Sequence, residues 1–148
     1  MAIKADYHMH SSFSGDSAAP MEEMAKRALD LGLTHICFTE HYDPDYVYPP
    51  EEEGMFELNT DSYLYELLKC KNNYNGQLEI AFGVELGLQP HLKRQLAVYA
   101  KSHAFDFIIG SSHLCNRRDP YYPAFYEGRS DTEAYREFFE ATLANIKA

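Results

Sequence analysis

Histidines and carboxylates, which often bind divalent metals, follow directly on short apolar runs of this 148-residue sequence. The set comprises His8, His10, Asp16, Glu40, His41, Glu85 and His113. Alternate residues of an extended strand point to the same side, so His8 and His10 can offer two imidazoles to one ion. Glu85 lies between apolar residues, where an acid is costly unless it is paired or bound to a cation. This placement predicts one metal site built from several segments.

The donor types indicate which metals the site would take. Imidazoles and carboxylates without a suitable pair of cysteines favour Zn²⁺, Mn²⁺ or Fe²⁺ over Ca²⁺, Mg²⁺ or a thiolate site. A carboxylate such as Glu85 can bridge two ions. Two or more neighbouring ions suit phosphoester hydrolysis, because they generate hydroxide at neutral pH and neutralise the phosphate. The sequence contains no Gly-rich phosphate loop and no G-x-S-x-G nucleophile motif.

Strands and helices alternate in the predicted order, and the strands end at these groups. A strand before His10 is followed by apolar runs 34–39, 80–84 and 105–110, which predict buried strands ending at Glu40-His41, Glu85 and Ser111-Ser112-His113. Amphipathic patterns predict helices from Met21 to just before Gly32, from Asp61 to about Asn72, from about Pro90 to Ser102, and after a capping box at Ser130–Glu133. Four βα units predict an α/β fold with a parallel sheet, whose carboxyl edge gathers the groups at one site. The remaining histidines, His35, His91 and His103, lie away from the predicted edge and are interpreted as structural.

Composition excludes several classes of protein. A net charge of −10 argues against a nucleic-acid-binding surface, because that affinity comes mainly from Lys and Arg. Three cysteines without framework spacing favour reduced thiols and a cytoplasmic location. No apolar stretch approaches the roughly 18 residues that would predict a membrane span. We therefore expect neither nucleic acid nor membrane as a partner.

Two irregular stretches follow predicted strand ends. Residues 42–59 hold three prolines and a run of acids, and residues 116–129 are rich in aromatics, proline and arginine. Loops of this length in compact domains are often lids or rims of functional sites, although ordered surface loops explain the acidic stretch equally well.

Four segments carry a resemblance to a known family. They are ADYHMHSSFSGDS, ICFTEHYD, FGVELGLQP and DFIIGSSHLCNRRDPYY. With them the whole chain resembles the polymerase-and-histidinol-phosphatase (PHP) superfamily, and the first and last segments resemble its histidinol-phosphatase branch in particular.

The resemblance implies a distorted (β/α)7 barrel with a trinuclear metal site, so we expect two or three bound ions. Carried over residue by residue, it implies that the metal ligands are His8, His10, Asp16, His41, Glu85 and His113. It also implies catalytic roles for Glu85, His113 and Asp16, and a position beside the ligands for Glu40. Arg117 or Arg118 could contact the phosphate of a substrate, with exposed arginines as the alternative. The acids Asp43, Asp45 and Glu51 to Glu53 could meet a cationic group of the substrate, and a solvated acidic loop is the alternative.

The function implied by the resemblance is hydrolysis of L-histidinol phosphate to L-histidinol and phosphate, a stage of histidine biosynthesis. The rivals are a PHP-type phosphoesterase acting on nucleotides or nucleic acid, and a non-catalytic metal-binding module. The family's later ligand motifs have no counterpart before Ala148, and four βα units form only the first part of a (β/α) barrel. We therefore expect residues 1–148 to be the N-terminal portion of a PHP phosphoesterase domain. A homodimer that completes the barrel is the alternative.

Overall fold

Four strands alternate with four helices in the computed structural model, which describes residues 3–47 and 54–148. The elements are β1 (Ala5–Met9), α1 (Met21–Asp30), β2 (His35–Tyr42), α2 (Thr60–Asn73), β3 (Glu79–Gly87), α3 (Lys93–Ser102), β4 (Phe107–Ser111) and α4 (Asp131–Lys147). Single 3₁₀ turns at Pro90–Leu92 and Pro123–Phe125 precede α3 and α4. The predicted order of elements is confirmed, although β2 and β3 each extend beyond the apolar run that predicts them.

The strands form one sheet in the order β1-β2-β3-β4, and every neighbouring pair is parallel. The register places His41 of β2 beside Glu85 of β3, and Glu85 beside Ile109 of β4. A register shift interrupts the pairing of β1 with β2 between Asp6 and Met9, next to His8. The α/β fold with the first four βα units of a barrel is confirmed.

The sheet curls strongly. Strands one and four of a flat sheet lie about 14 Å apart, at about 4.8 Å for each interval. The rings of Tyr7 in β1 and Phe107 in β4 nevertheless meet edge to face, with centroids 5.4 Å apart. The two open edges therefore turn toward each other, as they do in part of a barrel wall.

The hydrophobic core lies between the convex face of the sheet and helices α1 and α2. Ile36 and Phe38 of β2 are fully buried against Ala25 of α1 and against Tyr63 and Leu67 of α2. The Tyr63 hydroxyl donates to the backbone oxygens of Phe38 and Gly83, which ties α2 to both central strands. This packing holds the strand ends in place.

Helix α4 begins at the predicted capping box, where Ser130 and Glu133 bond to each other's backbone N–H groups. Its only buried residue is Ala134, and its apolar side chains Tyr135, Phe139, Leu143 and Ile146 are exposed. The helical period predicts this helix correctly, but its apolar stripe does not pack on the sheet. Among the described residues, no helix is long and apolar enough to cross a membrane.

Candidate metal centre

The carboxyl edge of the sheet brings the predicted residues together. His8 and His10 lie at the end of β1. His41 and Glu85 lie close to the carboxyl ends of β2 and β3, and His113 follows β4 by two residues. Because the strands are parallel and in register, their ends meet at one place. The prediction that four strand ends converge is confirmed.

Glu85 is the centre of the cluster. Its carboxylate is buried, and Oε2 lies 2.9 Å from Nε2 of His10 and 3.1 Å from Nε2 of His8. Its Oε1 lies 3.0 Å from Nε2 of His113 and accepts a 2.6 Å hydrogen bond from the hydroxyl of Ser111. One carboxylate thus reaches side chains from β1, β4 and the segment after β4.

Asp16 adds a second carboxylate from the loop between β1 and α1. Its Oδ2 lies 3.0 Å from Nδ1 of His10 and 3.4 Å from Nε2 of His41. The side chain is 43% exposed, whereas those of His10 and His41 are 14% and 11% exposed. Asp16 therefore closes the cluster on its solvent side.

Asp43 holds two of the rings from behind. It is buried, with Oδ1 2.8 Å from Nδ1 of His113 and Oδ2 3.3 Å from Nδ1 of His41. A Cβ on Gly87 would clash with this carboxylate, so the glycine permits its close approach. With Nδ1 of each ring turned toward Asp43, Nε2 of each ring faces the cluster. This differs from the predicted contact of Asp43 with substrate.

Burial and charge compete in setting the pKa values of these groups. Burial lowers the pKa of His113, but its contacts with Asp43 and Glu85 outweigh this and raise the pKa to about 10. Burial would raise the pKa of Glu85, yet His10, His113 and Ser111 lower it far below its ordinary range. The pKa of Asp43 is lowered in the same way by His113 and His41, against the effect of burial. Without metal the cluster therefore holds ionised carboxylates beside a protonated His113 at neutral pH, and a metal ion that binds through this ring would displace its proton.

The spacing of the donor atoms fits divalent metal ions. Two donors at about 2.0–2.1 Å from one tetrahedral ion lie about 3.3 Å apart, and the contacts of Glu85 and Asp16 with the rings fall around that value. Three groups have ligand atoms within 4.8 Å of one another: His8, His10 and Glu85; His10, Asp16 and His41; and His41, Glu85 and His113. Nε2 of His10 is buried 2.9 Å from Oε2 of Glu85, but it makes no well-aligned hydrogen bond with any described residue. Imidazole and carboxylate donors of this kind suit Zn²⁺, Mn²⁺ or Fe²⁺.

Glu40 points away from the cluster, as adjacent residues of a strand diverge. Its carboxylate is fully buried and accepts bonds from the backbone N–H of Ser11 and from the hydroxyls of Ser11 and Ser14, at 2.6 and 2.5 Å. Ser14 also accepts a 2.9 Å bond from the backbone N–H of His41. Glu40 therefore ties the loop that carries Asp16 to the strand that carries His41. The sequence pattern gave no role to the two serines.

A cleft of about 650 Å³ opens beside the cluster. Asp16, His41 and His113 line one end, and aromatic side chains line much of the remainder: Tyr46, Phe56, Tyr121, Tyr122 and Phe138. Asp119 also lines it. A cleft of this size accommodates a small organic molecule that reaches the cluster.

The two predicted phosphate-binding arginines lie outside this lining. Arg117 stands at a turn with a positive φ of 63°, and the turn is closed by pairing of Cys115 with Arg118. Arg118 forms two bonds with the carboxylate of Glu137 in α4, at 2.9 and 2.8 Å. The structure thus groups the two arginines with α4 and does not bring them to the histidines.

The acidic loop residues occupy other positions. Asp45 accepts a 2.5 Å bond from the amide of Gln89 and lies 2.5 Å from Nε2 of His91. His91 follows β3 and so lies near the carboxyl edge, contrary to the expectation that it is far from it. The other acids of the prediction, Glu51 to Glu53, lie outside the described residues.

Comparisons with known proteins give matches over most of the chain. The sequence profile of the family described as PHP domain matches residues 6–147. The chain is 34% identical to the histidinol-phosphatase of Lactococcus lactis subsp. lactis over 142 residues, which are 95% of this chain and 51% of that protein. It is 32% identical to a probable histidinol-phosphatase of Clostridium acetobutylicum, over 96% of this chain and 52% of that protein.

A solved structure is similar as well. The crystal structure of histidinol phosphate phosphatase from Lactococcus lactis subsp. lactis, complexed with zinc, L-histidinol and phosphate, superposes with a TM-score of 0.89 at 33% identity. The match covers 97% of this chain and 53% of that one. The chain thus spans about half the length of the relatives it matches.

Proposed function

The chain belongs to the PHP domain family, and from this membership we propose that it is a metal-dependent phosphatase that hydrolyses L-histidinol phosphate to L-histidinol and phosphate. The observation that carries the proposal is the cluster around Glu85, where three rings from the ends of β1 and β4 converge on one buried carboxylate. Relatives and a similar structure named for histidinol phosphate support the choice of substrate. The step would belong to histidine biosynthesis.

We propose two or three divalent ions, of zinc, manganese or iron, as the cofactors. Six ligands would hold them: His8, His10, Asp16, His41, Glu85 and His113. The three groups of donor atoms and the zinc bound by the similar structure support this. When bound, such ions activate water at neutral pH and neutralise the charge of a phosphate.

Within this site the chain's own residues bind and orient. Glu85, which contacts histidines from both sides of the cluster, keeps the three groups of donors together. Asp43 contacts Nδ1 of His113. This contact orients the ring so that its Nε2 faces Glu85. Asp16 and His113 border the cleft, where they can contact the phosphate end of a substrate. These positions support catalytic roles for Glu85, His113 and Asp16.

Contacts of Arg117 or Arg118 with the phosphate stay a prediction. Arg118 is bound to Glu137. To contact a phosphate, its guanidinium would have to leave the Glu137 carboxylate or bind both groups at once. Arg117 makes no ion pair among the described residues, so its guanidinium has no such partner to exchange.

Residues 1–148 would serve as the N-terminal portion of a PHP phosphoesterase domain. The alternative is a homodimer, in which two copies would associate through the open edges of β1 and β4 and complete the barrel. A cytoplasmic location is supported by the three cysteines, which are all buried and unpaired.

The test is phosphate release from L-histidinol phosphate by the 148-residue chain with Mn²⁺ or Zn²⁺ added. The double variant His8→Ala, His10→Ala should lose turnover, because it removes two imidazoles from the cluster. His35→Ala is the matched control, because His35 is an exposed histidine at the opposite end of β2.

Each rival makes a different prediction in the same assay. Faster release from nucleotides or from a phosphodiester would favour the nucleotide-directed phosphoesterase. Metal binding without turnover of any ester, both by this chain and by a chain extended through the later ligand motifs, would favour the non-catalytic module and contradict the phosphatase. The net charge of −10 weighs against nucleic acid.

A further inference from the structure

Asp119 lines the cleft and belongs to the segment that follows the proposed ligand His113. It follows β4 within the aromatic stretch and lines the cleft together with His113 and Tyr46. Its Oδ1 accepts a 2.7 Å bond from the backbone N–H of Tyr121, and its Oδ2 accepts a bond from the phenol of Tyr46. The carboxylate is therefore held in a defined orientation.

This carboxylate forms no ion pair with a described residue, although Arg117 and Arg118 line a neighbouring pocket together with it. The neighbouring Arg118 is directed to Glu137, and Arg129 is also bound there. Both contacts of Asp119 come from neutral donors, an amide and a phenol. Each carboxylate oxygen can accept two hydrogen bonds, so the group retains acceptor capacity for a ligand.

The surroundings of Asp119 select the chemistry of that ligand. Aromatic rings of Tyr46, Phe56, Tyr121 and Tyr122 line the same cleft, and aromatic faces attract cations and planar rings. The other end of the cleft is formed by Asp16, His41 and His113, where metal ions would attract a phosphate. The cleft thus combines a proposed phosphate site at Asp16, His41 and His113 with a region in which the Asp119 carboxylate lies among aromatic rings.

We infer that Asp119 is a specificity-determining residue that binds a cationic nitrogen, an ammonium or imidazolium, of the phosphate ester. The inference rests on the proposed function for the phosphate end of the cleft. A charge-assisted hydrogen bond to Asp119 would favour esters that carry such a nitrogen over neutral esters of similar size. The phenol of Tyr46 positions the carboxylate for this contact.

The test compares two substrates in the 148-residue chain loaded with Mn²⁺ or Zn²⁺. L-histidinol phosphate carries cationic nitrogens, and p-nitrophenyl phosphate carries none. In Asp119→Asn, the ratio of kcat/KM for the first ester to that for the second should fall about tenfold or more, because the charge is lost while the shape is kept. Asp119→Glu should restore part of this ratio. Asp61→Asn, an exposed aspartate at the start of α2, should leave the ratio unchanged.

An unchanged ratio in Asp119→Asn would overturn the inference, and so would an equal fall for both esters, which would indicate a structural role. A second measurement does not depend on turnover. L-histidinol, which lacks phosphate, should bind to the metal-loaded chain in calorimetry, with affinity reduced about tenfold by Asp119→Asn.

This binding measurement separates the two proposals. If neither ester is hydrolysed, the 148-residue chain is not a phosphatase by itself, and weaker binding of L-histidinol by Asp119→Asn still supports the role of Asp119. Equal binding by the two proteins, or no binding by the unmodified chain, overturns it. Circular dichroism of each variant checks that the fold is retained.

Discussion

Glu85 illustrates how one residue can organise a site. A buried carboxylate in an apolar strand is unstable by itself, and the three imidazoles and the serine hydroxyl that surround Glu85 compensate for this. Gly83 and Gly87, on either side of it in β3, leave no room for a Cβ. Small neighbours therefore let the strands and Asp43 approach closely while Glu85 alone projects into the cluster.

Replacing Glu85 with glutamine should weaken metal binding. The amide keeps the shape of the side chain but removes the negative charge and one of the acceptor oxygens, so the affinity for Zn²⁺ should fall by at least about tenfold. Isothermal titration calorimetry on the purified chain measures this directly. Glu79→Gln is the matched control, because Glu79 is an exposed glutamate at the start of the same strand. Equal affinities in the two variants would show that Glu85 is not a ligand.

At the scale of elements, the loop between β1 and α1 depends on a buried network. Glu40 accepts hydrogen bonds from Ser11 and Ser14 and forms no ion pair with a described residue, and the Ser14 hydroxyl also accepts a bond from the backbone N–H of His41. The loop carries Asp16, so this network sets the position of Asp16 relative to His41. The same strand thus supplies a proposed ligand on one face and the anchor of a neighbouring loop on the other.

Ser14→Ala should destabilise the folded chain. The substitution removes the hydroxyl that donates to the Glu40 carboxylate and accepts from the backbone N–H of His41. Hydrogen bonds to charged groups contribute about 1.5–3 kcal/mol to stability. We expect the free energy of unfolding, measured by urea denaturation, to fall by about that amount. Ser12→Ala is the control, because Ser12 lies in the same loop, is exposed and makes no side-chain hydrogen bond with a described residue. A loss of less than about 0.5 kcal/mol for Ser14→Ala would contradict the importance of the network.

The elements also show what the sequence could and could not predict. Apolar runs and capping residues predict the order of strands and helices and the convergence of the histidines, because those properties are local or follow from parallel topology. The role of Asp43 could not be predicted, because it depends on ring orientations and on the close approach of Gly87 from another strand. The position of Arg118 after His113 makes it one candidate for phosphate binding, with an exposed arginine as the alternative, and the pattern does not reveal its contact with Glu137 of α4.

For the molecule as a whole, the curled sheet leaves two parallel edges without partners among the described residues. Tyr7 and Phe107, on the two edge strands, are each 39% exposed, and Ile108 is 40% exposed. Exposed apolar edges favour association with a further strand. A twofold axis along the barrel would place β4 of one copy beside β1 of the other, parallel at both seams, so the two sheets would close into one.

This arrangement predicts a dimer that depends on the edges of the sheet. In sedimentation velocity experiments, the chain should sediment with twice the mass of one copy, and Phe107→Glu should shift it to the monomer, because a buried charge at the seam is unfavourable. Val98→Glu is the control, since Val98 is an exposed apolar residue on α3, away from both edges. The net charge of −10 on each copy opposes association, so the dimer should become more populated as salt screens the repulsion. A chain that remains monomeric at every protein and salt concentration would contradict the dimer.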